Sequence, residues 1–446
     1  MYDIVIGRDA SDKEKYGKKG TILLAKHYVK MGQTTSLSNN VYLDVTRSHI
    51  VFVCGKRGGG KSYTLGVIAE GLSDLPKEIA NNLSIILVDT MGIYWTMKYP
   101  NKKDEGLLKE WGLDPKGLDV GIYTPEDFYY KYKKKGIPTD FPFTIATSEL
   151  SGEDWCTTFD FSENDKYGVL ISKVIQELKD EQSDVEEIKF SIDDIIHQVE
   201  KDESAEHFVK SAVINHFNTA KTWGLFKEDG THLGDLVKGG QITVLDVSCY
   251  ATLPNGWKIK SLVLGLLSQK LFQQRMIARK DEEYAEINNR VHFFGSEDEE
   301  SNEKKEPLVW IVIDEAHEFL PKVGKTAASD PLITILREGR QPGISLILAT
   351  QQPGKIHTDV MTQSDTVLSH RITAKIDVDA LSMLMQSYMR TGLDTQLDDL
   401  PRVKGAGVIF DDTNEKMYPI RIRPRITWHG GESPNAIPRH KKLEDF

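Results

Sequence analysis

Cysteines are scarce in this 446-residue sequence, and long apolar runs are absent from it. The three cysteines, Cys54, Cys156 and Cys249, lie far apart, and none has a second cysteine or a histidine at the spacing of a zinc site. We therefore expect buried thiols that pack as small hydrophobic side chains. No apolar run approaches the ~20 residues of a membrane-spanning helix, and the first residues lack the charged-then-apolar order of a signal peptide. These absences predict a cytoplasmic protein without a membrane partner.

Basic residues are also in deficit, because the formal net charge is -11. This balance argues against a surface coated with lysine and arginine for nucleic acid. A localised groove or pore for nucleic acid remains compatible with it. The run YYKYKKKG, from Tyr129 to Gly136, could contact a phosphate backbone, but it is more simply an exposed helix end with one basic face.

Apolar runs of strand length recur between helical patterns. Ile50 to Cys54 is the first of six such runs, and their uniformly apolar composition is typical of strands covered on both faces in a parallel sheet. The other five are Leu83 to Val88, Ile242 to Leu245, Leu308 to Ile313, Ile344 to Ala349 and Thr366 to Ile372. Helical patterns between them predict an α/β fold with a mostly parallel sheet and crossover helices.

Changes in pattern divide the chain into five predicted segments. Residues 1–46 carry short alternating apolar runs and predict a small β-rich cap. Residues 47–153 and 237–425 carry the six strand runs and form two parts of one α/β core. Residues 154–236 show amphipathic helical spacing, which predicts a helical subdomain inserted into that core. Residues 426–446, rich in glycine, proline and charge, predict a solvated tail.

The first strand run of the core leads into a phosphate-binding motif. Gly55-x-x-x-x-Gly60-Lys61-Ser62 has Walker A spacing, with a strand run before it and a helical pattern after it. Glycines let backbone N–H groups curl round an anion, and the N-terminus of the helix adds its dipole. Lys61 would reach the β- and γ-phosphates of ATP, and the Ser62 hydroxyl would hold Mg²⁺. The residues predicted to bind the nucleotide are Gly55, Arg57, Gly58, Gly59, Gly60, Lys61, Ser62 and Tyr63.

Two acidic residues end another strand run, in Trp310-Ile-Val-Ile-Asp314-Glu315-Ala-His317. Nucleotide hydrolysis needs a carboxylate on the metal and a group that activates water. We assign Asp314 to the first role, holding Mg²⁺ through water, and Glu315 to the second, because the carboxyl edge of a parallel sheet is where ligands bind. His317 is interpreted as a helix-face residue without a catalytic role.

Polar and basic residues further along the chain could complete the site. Gln351, at the end of the run Ile344 to Ala349, could link the γ-phosphate to the rest of the machinery, or could be a turn residue before a proline. Arg337 and Arg340 lie three residues apart on one predicted helix face, where a ring ATPase carries an arginine that reaches the neighbour's γ-phosphate. Arg371 is a second candidate for that role. The alternative for the pair is a surface salt bridge with Glu338 or with the inserted helices.

The positions of the motifs along the chain argue against three other classes of nucleotide hydrolase. Asp89-Thr-Met-Gly92 and Asn101-Lys-Lys-Asp104 resemble GTPase signatures, but they stand too close together to be separated by strands and helices. Leu150-Ser-Gly-Glu153 resembles the signature of transporter ATPases, but it lies far before Asp314. Two-lobed helicases need a second motor lobe, and only two or three strand runs follow Asp314.

Together the motifs resemble the HerA branch of the HerA/FtsK superfamily of ring ATPases. The segments that carry the resemblance are IGRDASDKEKYGKKGTILLAKHYVKMG, CGKRGGGKSYTLGVIAE, ILVDTMGIYW, WGLF, VLDVS, IDEAHEFLP, ILREGRQPGISLILATQQP and RIRPRITWHGGESP. The resemblance implies a RecA-like P-loop core, a shortened N-terminal barrel, and a homohexameric ring with ATP sites between subunits. It also implies double-stranded DNA in the channel and a NurA-like nuclease or another effector enzyme as partner.

The resemblance extends to single positions. Lys61, Ser62, Asp314, Glu315 and Gln351 fall on the family's motif positions, and the arginines of REGRQ fall where a trans-acting arginine is expected. One departure is the Gly-Ile-Tyr at 92–94, where family members usually carry Gly-Glu-Tyr. The resemblance thus implies an ATP-driven translocase of duplex DNA that serves DNA end processing or anti-phage defence. The alternative is a nucleotide-dependent hexameric scaffold that assembles and activates an effector enzyme without translocation.

Overall fold

Fifteen strands occur in the computed structural model, which describes residues 3–31, 34–182, 187–291, 306–384, 393, 395–397 and 399–431. The strands are β1 (Ile4–Ile6), β2 (Thr21–Met31), β3 (Thr34–Asp44), β4 (Ile50–Cys54), β5 (Leu83–Asp89), β6 (Val120–Pro125), β7 (Phe141–Phe143), β8 (Ile145–Ala146), β9 (Phe226–Lys227), β10 (Ile242–Asp246), β11 (Leu308–Ile313), β12 (Ile344–Thr350), β13 (Thr366–His370), β14 (Ala406–Asp411) and β15 (Lys416–Ile422). The six predicted strand runs all form strands.

Helices connect these strands and cover both faces of the sheet. The α-helices are α1 (Ala10–Tyr16), α2 (Lys61–Ser73), α3 (Lys77–Ala80), α4 (Glu105–Glu110), α5 (Glu126–Lys135), α6 (Gly152–Phe159), α7 (Lys166–Glu181), α8 (Ile192–Lys201), α9 (His207–Lys221), α10 (Leu233–Leu236), α11 (Gly256–Val291), α12 (Ser329–Glu338), α13 (Thr358–Gln363) and α14 (Lys375–Leu384). Short 3₁₀ turns span Tyr94–Lys98, Thr147–Glu149, Ser248–Thr252, Ala316–Glu318 and Pro353–Lys355.

One 13-stranded sheet has the order β1-β3-β2-β15-β14-β13-β4-β12-β11-β5-β10-β6-β7. From β13 to β7 every neighbouring pair is parallel, whereas β13-β14, β14-β15, β15-β2 and β2-β3 are antiparallel. Strands β5 and β12 are buried along their whole length, as expected for strands covered by helices on both faces. The predicted α/β class with a mostly parallel sheet is confirmed.

The N-terminal strands extend the same sheet, because β2 pairs with β15 next to the core strands. Between the core strands, α6 to α9 pack into one helical layer, and capping boxes fix two of their starts. Ser151 pairs with Asp154 at the start of α6, and Ser191 pairs with Asp194 at the start of α8. The division of the chain into five segments stays a prediction.

Burial confirms one prediction and corrects another. Cys54, Cys156 and Cys249 are free and buried, as expected. The start of the predicted solvated tail is instead buried, since Ile426 is 6% exposed and Thr427 is fully covered. The rest of that tail, residues 432–446, lies outside the described residues. Within the described residues, no helix is both long and apolar enough to cross a membrane.

Candidate nucleotide site

The phosphate loop joins β4 to α2 at the carboxyl edge of the sheet. Gly60 has a φ of 104°, which side-chain-bearing residues rarely adopt, and it precedes the first residue of α2. A Cβ on Gly55 would lie 2.7 Å from the Cβ of His370, so this position also requires glycine. Lys61 is buried and its ammonium donates to the Lys56 carbonyl at 3.4 Å, while Arg57 is exposed. The loop therefore has the backbone of an anion-binding turn.

His370 supports this loop, although it was not among the predicted site residues. Its Nδ1–H donates to the Ala406 carbonyl at 3.2 Å, so its Nε2 accepts from the Thr64 hydroxyl at 2.8 Å. Burial lowers the pKa of His370 to about 4, so the ring is neutral. The sequence signal that could have indicated this role is the position of the histidine within the last predicted strand run of the core, Thr366 to Ile372. Arg371 follows it, and its carbonyl accepts from the Lys56 N–H at 3.4 Å.

The two predicted metal ligands are in direct contact. The Ser62 hydroxyl donates to Oδ2 of Asp314, and Oδ1 of Asp314 accepts the Glu315 N–H at 2.9 Å. Strand β11 ends at Ile313, immediately before Asp314, and α2 begins one residue before Ser62. The carboxyl end of a central strand and the N-terminus of α2 therefore bring together the hydroxyl and carboxylate oxygens that Mg²⁺ prefers.

Glu315 has an unusual backbone and an unusual acidity. Its φ of 52° lies in the left-handed region that residues other than glycine rarely adopt, and such strain is concentrated at functional sites. Burial, reinforced by the charge of Asp314, raises the pKa of Glu315 to about 7. A carboxyl group with this pKa can accept a proton near neutral pH, which is what a general base requires.

Two side chains lie beside the Glu315 carboxylate, and one of them donates a hydrogen bond to it. The Gln351 amide donates to Oε1 of Glu315 at 3.2 Å, which brings the predicted polar residue after β12 into the site. His317, interpreted from the sequence as a residue without a role here, lies with Nδ1 3.5 Å from Oε2 of Glu315. The same nitrogen is 3.0 Å from the Thr350 hydroxyl, and burial lowers the pKa of His317. The side chains after β11 and β12 therefore form one polar group.

A second carboxylate group continues along the sheet edge. Asp89 and Asp246 are register partners at the ends of β5 and β10, and burial raises the pKa of both, that of Asp89 to about 7. The charge of Asp246 contributes to the shift of Asp89. The Asp89 carboxylate accepts the backbone N–H groups of residues 91–94 at 2.7 to 3.2 Å. The segment that resembled a GTPase signature therefore forms a tight turn at this edge.

The last residues of the predicted core and the first residues of the tail are tied to the helix of the phosphate loop. Glu70 of α2 is fully buried and accepts from Arg423 at 2.8 Å and from Arg425 at 3.1 Å. It also accepts the backbone N–H of Thr427 at 3.1 Å. The hydroxyl of Tyr63, predicted as a nucleotide contact, accepts the Arg425 N–H at 2.6 Å. Sequence reasoning missed these contacts, because Glu70 lies more than 350 residues before the two arginines.

The two predicted trans-acting arginines do not share a helix. Helix α12 ends at Glu338, because Gly339 follows it as the C-cap residue, so Arg340 lies in the next turn. Arg337 pairs with Asp359 of α13 at 2.6 Å rather than with Glu338 or with the inserted helices. Both arginines are exposed in the single chain.

The sequence is similar to known helicases that share a central domain. The family model for the central domain of helicase HerA (DUF87) matches residues 29–270, more than half of the chain. The DNA double-strand break repair helicase HerA of Pyrococcus furiosus is 28% identical over 191 residues, which are 40% of this chain and 32% of that protein. The probable DNA double-strand break repair helicase HerA of Methanocaldococcus jannaschii is 22% identical over 447 residues, which are 95% of this chain and 82% of that protein.

A solved structure supports the fold. VirB4 of Thermoanaerobacter pseudethanolicus superposes with a TM-score of 0.52 and 12% sequence identity, covering 91% of this chain and 97% of that one. At this identity the likeness concerns the fold alone. Together with the family model and the Walker A geometry, it leads to one conclusion. The chain belongs to the HerA helicase central-domain family and is an enzyme of the P-loop ATPase class.

Proposed function

We propose that this protein hydrolyses ATP and uses the energy to move double-stranded DNA through a homohexameric ring. The observation that carries the hydrolytic part is the contact between Ser62 and Asp314, with Glu315 beside them and held by Gln351. The roles proposed from the sequence are kept. Lys61 binds the β- and γ-phosphates, and Glu315 takes a proton from the attacking water.

The residues at the sheet edge fit a magnesium ion. The Ser62 hydroxyl and the Asp314 carboxylate already meet, and both are oxygen donors of the kind this ion binds. Bound Mg²⁺ would neutralise charge that develops on the phosphates. The phosphate-binding residues remain those proposed from the sequence, which are Gly55, Arg57, Gly58, Gly59, Gly60, Lys61, Ser62 and Tyr63.

The movement of DNA is supported by family membership. The two curated relatives are described as DNA double-strand break repair helicases, and the alignment spans only 32% of the Pyrococcus protein. For this chain, duplex DNA, a NurA-like nuclease or other effector as partner, and a place in DNA end processing or anti-phage defence are all proposals. A ring also gives the exposed Arg337 and Arg340 a site to act on in the neighbouring subunit.

The test of hydrolysis compares two lysines of one loop. Lys61→Ala should reduce ATP hydrolysis to background, whereas Lys56→Ala, which removes an exposed side chain from the same loop, should retain it. Duplex DNA should stimulate the wild-type rate, measured as phosphate release. An intact ring whose ATPase rate responds to no DNA would contradict translocation and favour a nucleotide-dependent scaffold that activates an effector enzyme.

The test of the ring uses mixed subunits. Arg340→Ala should abolish hydrolysis while leaving ATP binding intact, and Arg337→Ala tests the other arginine in the same way. Mixing Arg340→Ala subunits with Glu315→Gln subunits should restore part of the activity, because some interfaces then combine an intact arginine with an intact glutamate. A native mass that stays monomeric with ATP and duplex DNA would contradict both the ring and the trans-acting arginine.

A further inference from the structure

Tyr94 carries a buried hydroxyl that has no use in the proposed mechanism. The residue is only 1% exposed and belongs to the apolar core beneath the carboxyl edge of the sheet. Its hydroxyl has no hydrogen-bond partner within the part of the chain that the structure describes. A buried hydroxyl without a partner is costly, so this group is expected to have an acceptor that is not a protein atom.

The turn after β5 fixes the backbone of this tyrosine beside the metal site. The Asp89 carboxylate accepts the Tyr94 N–H at 2.8 Å and so anchors the tyrosine at the carboxyl end of β5. Because Ile313 pairs with Val88 in register, the next residues, Asp314 and Asp89, are neighbours across β11 and β5. Tyr94 therefore lies in the turn after β5, on one side of β11, whereas the phosphate loop follows β4 on the other side.

The charges around the hydroxyl agree with this placement. Burial raises the pKa of Tyr94 well above its usual value, and the carboxylates of Asp314, Asp89 and Glu315 contribute to the shift. Arg425, from the last residues of the predicted core, acts in the opposite direction. The phenol thus stays protonated, and it is a hydrogen-bond donor beside the predicted metal carboxylate.

The nearby carboxylates are already engaged by other donors. Both oxygens of Asp89 accept backbone N–H groups of the turn. Oδ1 of Asp314 accepts the Glu315 N–H, and Oδ2 accepts the Ser62 hydroxyl. A water molecule can accept from the phenol and donate to a carboxylate at the same time, so it can connect a carboxylate to a phenol that makes no direct hydrogen bond to it.

We propose that Tyr94 is a positioning residue of the metal site, whose hydroxyl donates a hydrogen bond to the water molecule that joins Asp314 to Mg²⁺. This inference rests on the proposed function, in which Asp314 holds the metal through water. The hydroxyl orients that water and makes no contact with the nucleotide. Its contribution should therefore appear in the binding of the metal and not in the binding of ATP without metal.

The experiment measures how magnesium affects the binding of a fluorescent ATP analogue. Tyr94→Phe should raise the Mg²⁺ concentration for half-maximal binding by about two- to tenfold, the effect of one lost hydrogen bond. Affinity measured in EDTA should not change. Tyr99→Phe is the matched control, since Tyr99 lies just after the same 3₁₀ turn and is 49% exposed, and it should behave as wild type.

Thermal unfolding separates this role from a structural one. A hydroxyl without a protein partner adds nothing to stability, so the Tm of Tyr94→Phe should equal or exceed that of wild type. A Tm lowered by more than about 5 °C would overturn the inference, because it would reveal a partner within the protein.

The remaining outcomes separate this inference from the proposed function. An unchanged Mg²⁺ dependence in Tyr94→Phe would overturn the inference and leave the proposed function standing. An equal loss of affinity with Mg²⁺ and in EDTA would also overturn it, because the hydroxyl would then contact the nucleotide. A wild-type protein that binds the analogue without regard to Mg²⁺ would overturn the proposed function and the inference together.

Discussion

Two groups of buried charges lie at opposite ends of the central parallel strands. The amino-end cluster consists of Arg8, Asp44, His49 and Asp365, with His49 and Asp365 immediately before β4 and β13. The carboxyl-end cluster consists of Asp89, Asp246, Asp314 and Glu315, which end or follow β5, β10 and β11. Each cluster has one partly exposed carboxylate, Asp365 or Glu315, and three buried members, but the clusters differ in the signs of their charges.

The amino-end cluster favours the charged forms of its side chains, whereas the carboxyl-end cluster disfavours them. In the amino-end cluster, Arg8 lies 2.5 Å from Asp44, and His49 lies 3.0 Å from Asp365. Although burial opposes the charged forms, hydrogen bonds to the partners lower the pKa of Asp44 to about 2 and raise that of His49 to about 9. In the carboxyl-end cluster, burial raises the pKa of Glu315 and of Asp89 to about 7. Charges balanced within the protein stabilise it, whereas unbalanced acids remain available for a metal or a proton.

The largest expected effect is on hydrolysis. Glu315→Gln removes the proton acceptor but keeps the shape of the side chain, so ATP hydrolysis should fall by about 100- to 10,000-fold. Stability should stay equal or rise, because the repulsion with Asp314 is lost. Phosphate release and urea unfolding on the same preparation measure both. A variant with full activity would contradict the role of Glu315, and a destabilised variant would contradict the contrast between the clusters.

The second largest effect is on stability at the other end of the strands. Asp44→Ala leaves Arg8 and His49 buried without their shared partner, and breaking such a pair costs about 3–5 kcal/mol. Urea unfolding measures the loss. Asp3→Ala is the control, since its ion pair with Lys18 is exposed to solvent and should contribute much less to stability. Equal effects of the two substitutions would remove the distinction between a buried and a surface pair.

Alkaline pH should weaken the amino-end cluster. The pKa of His49 is raised to about 9, so its contribution is complete below its unfolded pKa and is lost as pH rises through about 9. From a usual value of ~6.5, this shift corresponds to on the order of 3 kcal/mol. The free energy of unfolding should fall more between pH 6.5 and 10 in wild type than in His49→Gln. Parallel curves for the two proteins would show that His49 is not charged in the folded state.

The smallest effect is the pH dependence of hydrolysis. Glu315 must be ionised to accept a proton, and its raised pKa is about 7, so the rate should increase as pH rises through 7. Between pH 6 and pH 8 the expected increase is about tenfold. ATP binding measured at both pH values is the control. A rate that is flat over this interval would mean that a bound metal or phosphate has already ionised the carboxyl group.

The sequence predicted the parts of this structure that depend on neighbours along the chain. Continuous apolar runs located the core strands, amphipathic spacing indicated the helices between residues 154 and 236, and Walker A spacing located the phosphate loop. The contact of Ser62 with Asp314 also followed, since both lie at the carboxyl edge of one sheet. These inferences need only local periodicity and the rule that parallel strands share an edge.

Features that depend on distant partners were not predicted. The burial of Arg423 and Arg425 against Glu70 was not predicted, because the pairing spans 353 residues in the case of Arg423. In the sequence His370 is simply a residue near the end of a strand run. The structure shows that its side chain lies against the phosphate loop. Arg340 was predicted to share a helix face with Arg337, but α12 ends at Glu338 and Gly339 follows it as the C-cap residue. Charge pairs and packing at this range leave no periodic trace in the sequence.

The pairing of Glu70 with Arg423 also has a consequence for synthesis. The chain must be extended by 353 residues after Glu70 before its first arginine partner exists. At translation rates of roughly 5–20 residues per second, this interval lasts roughly 20–70 s. During that time α2 carries an acid that cannot be buried with its partners. The packing of the phosphate-loop helix around Glu70 is therefore completed only after Arg423 has been synthesised.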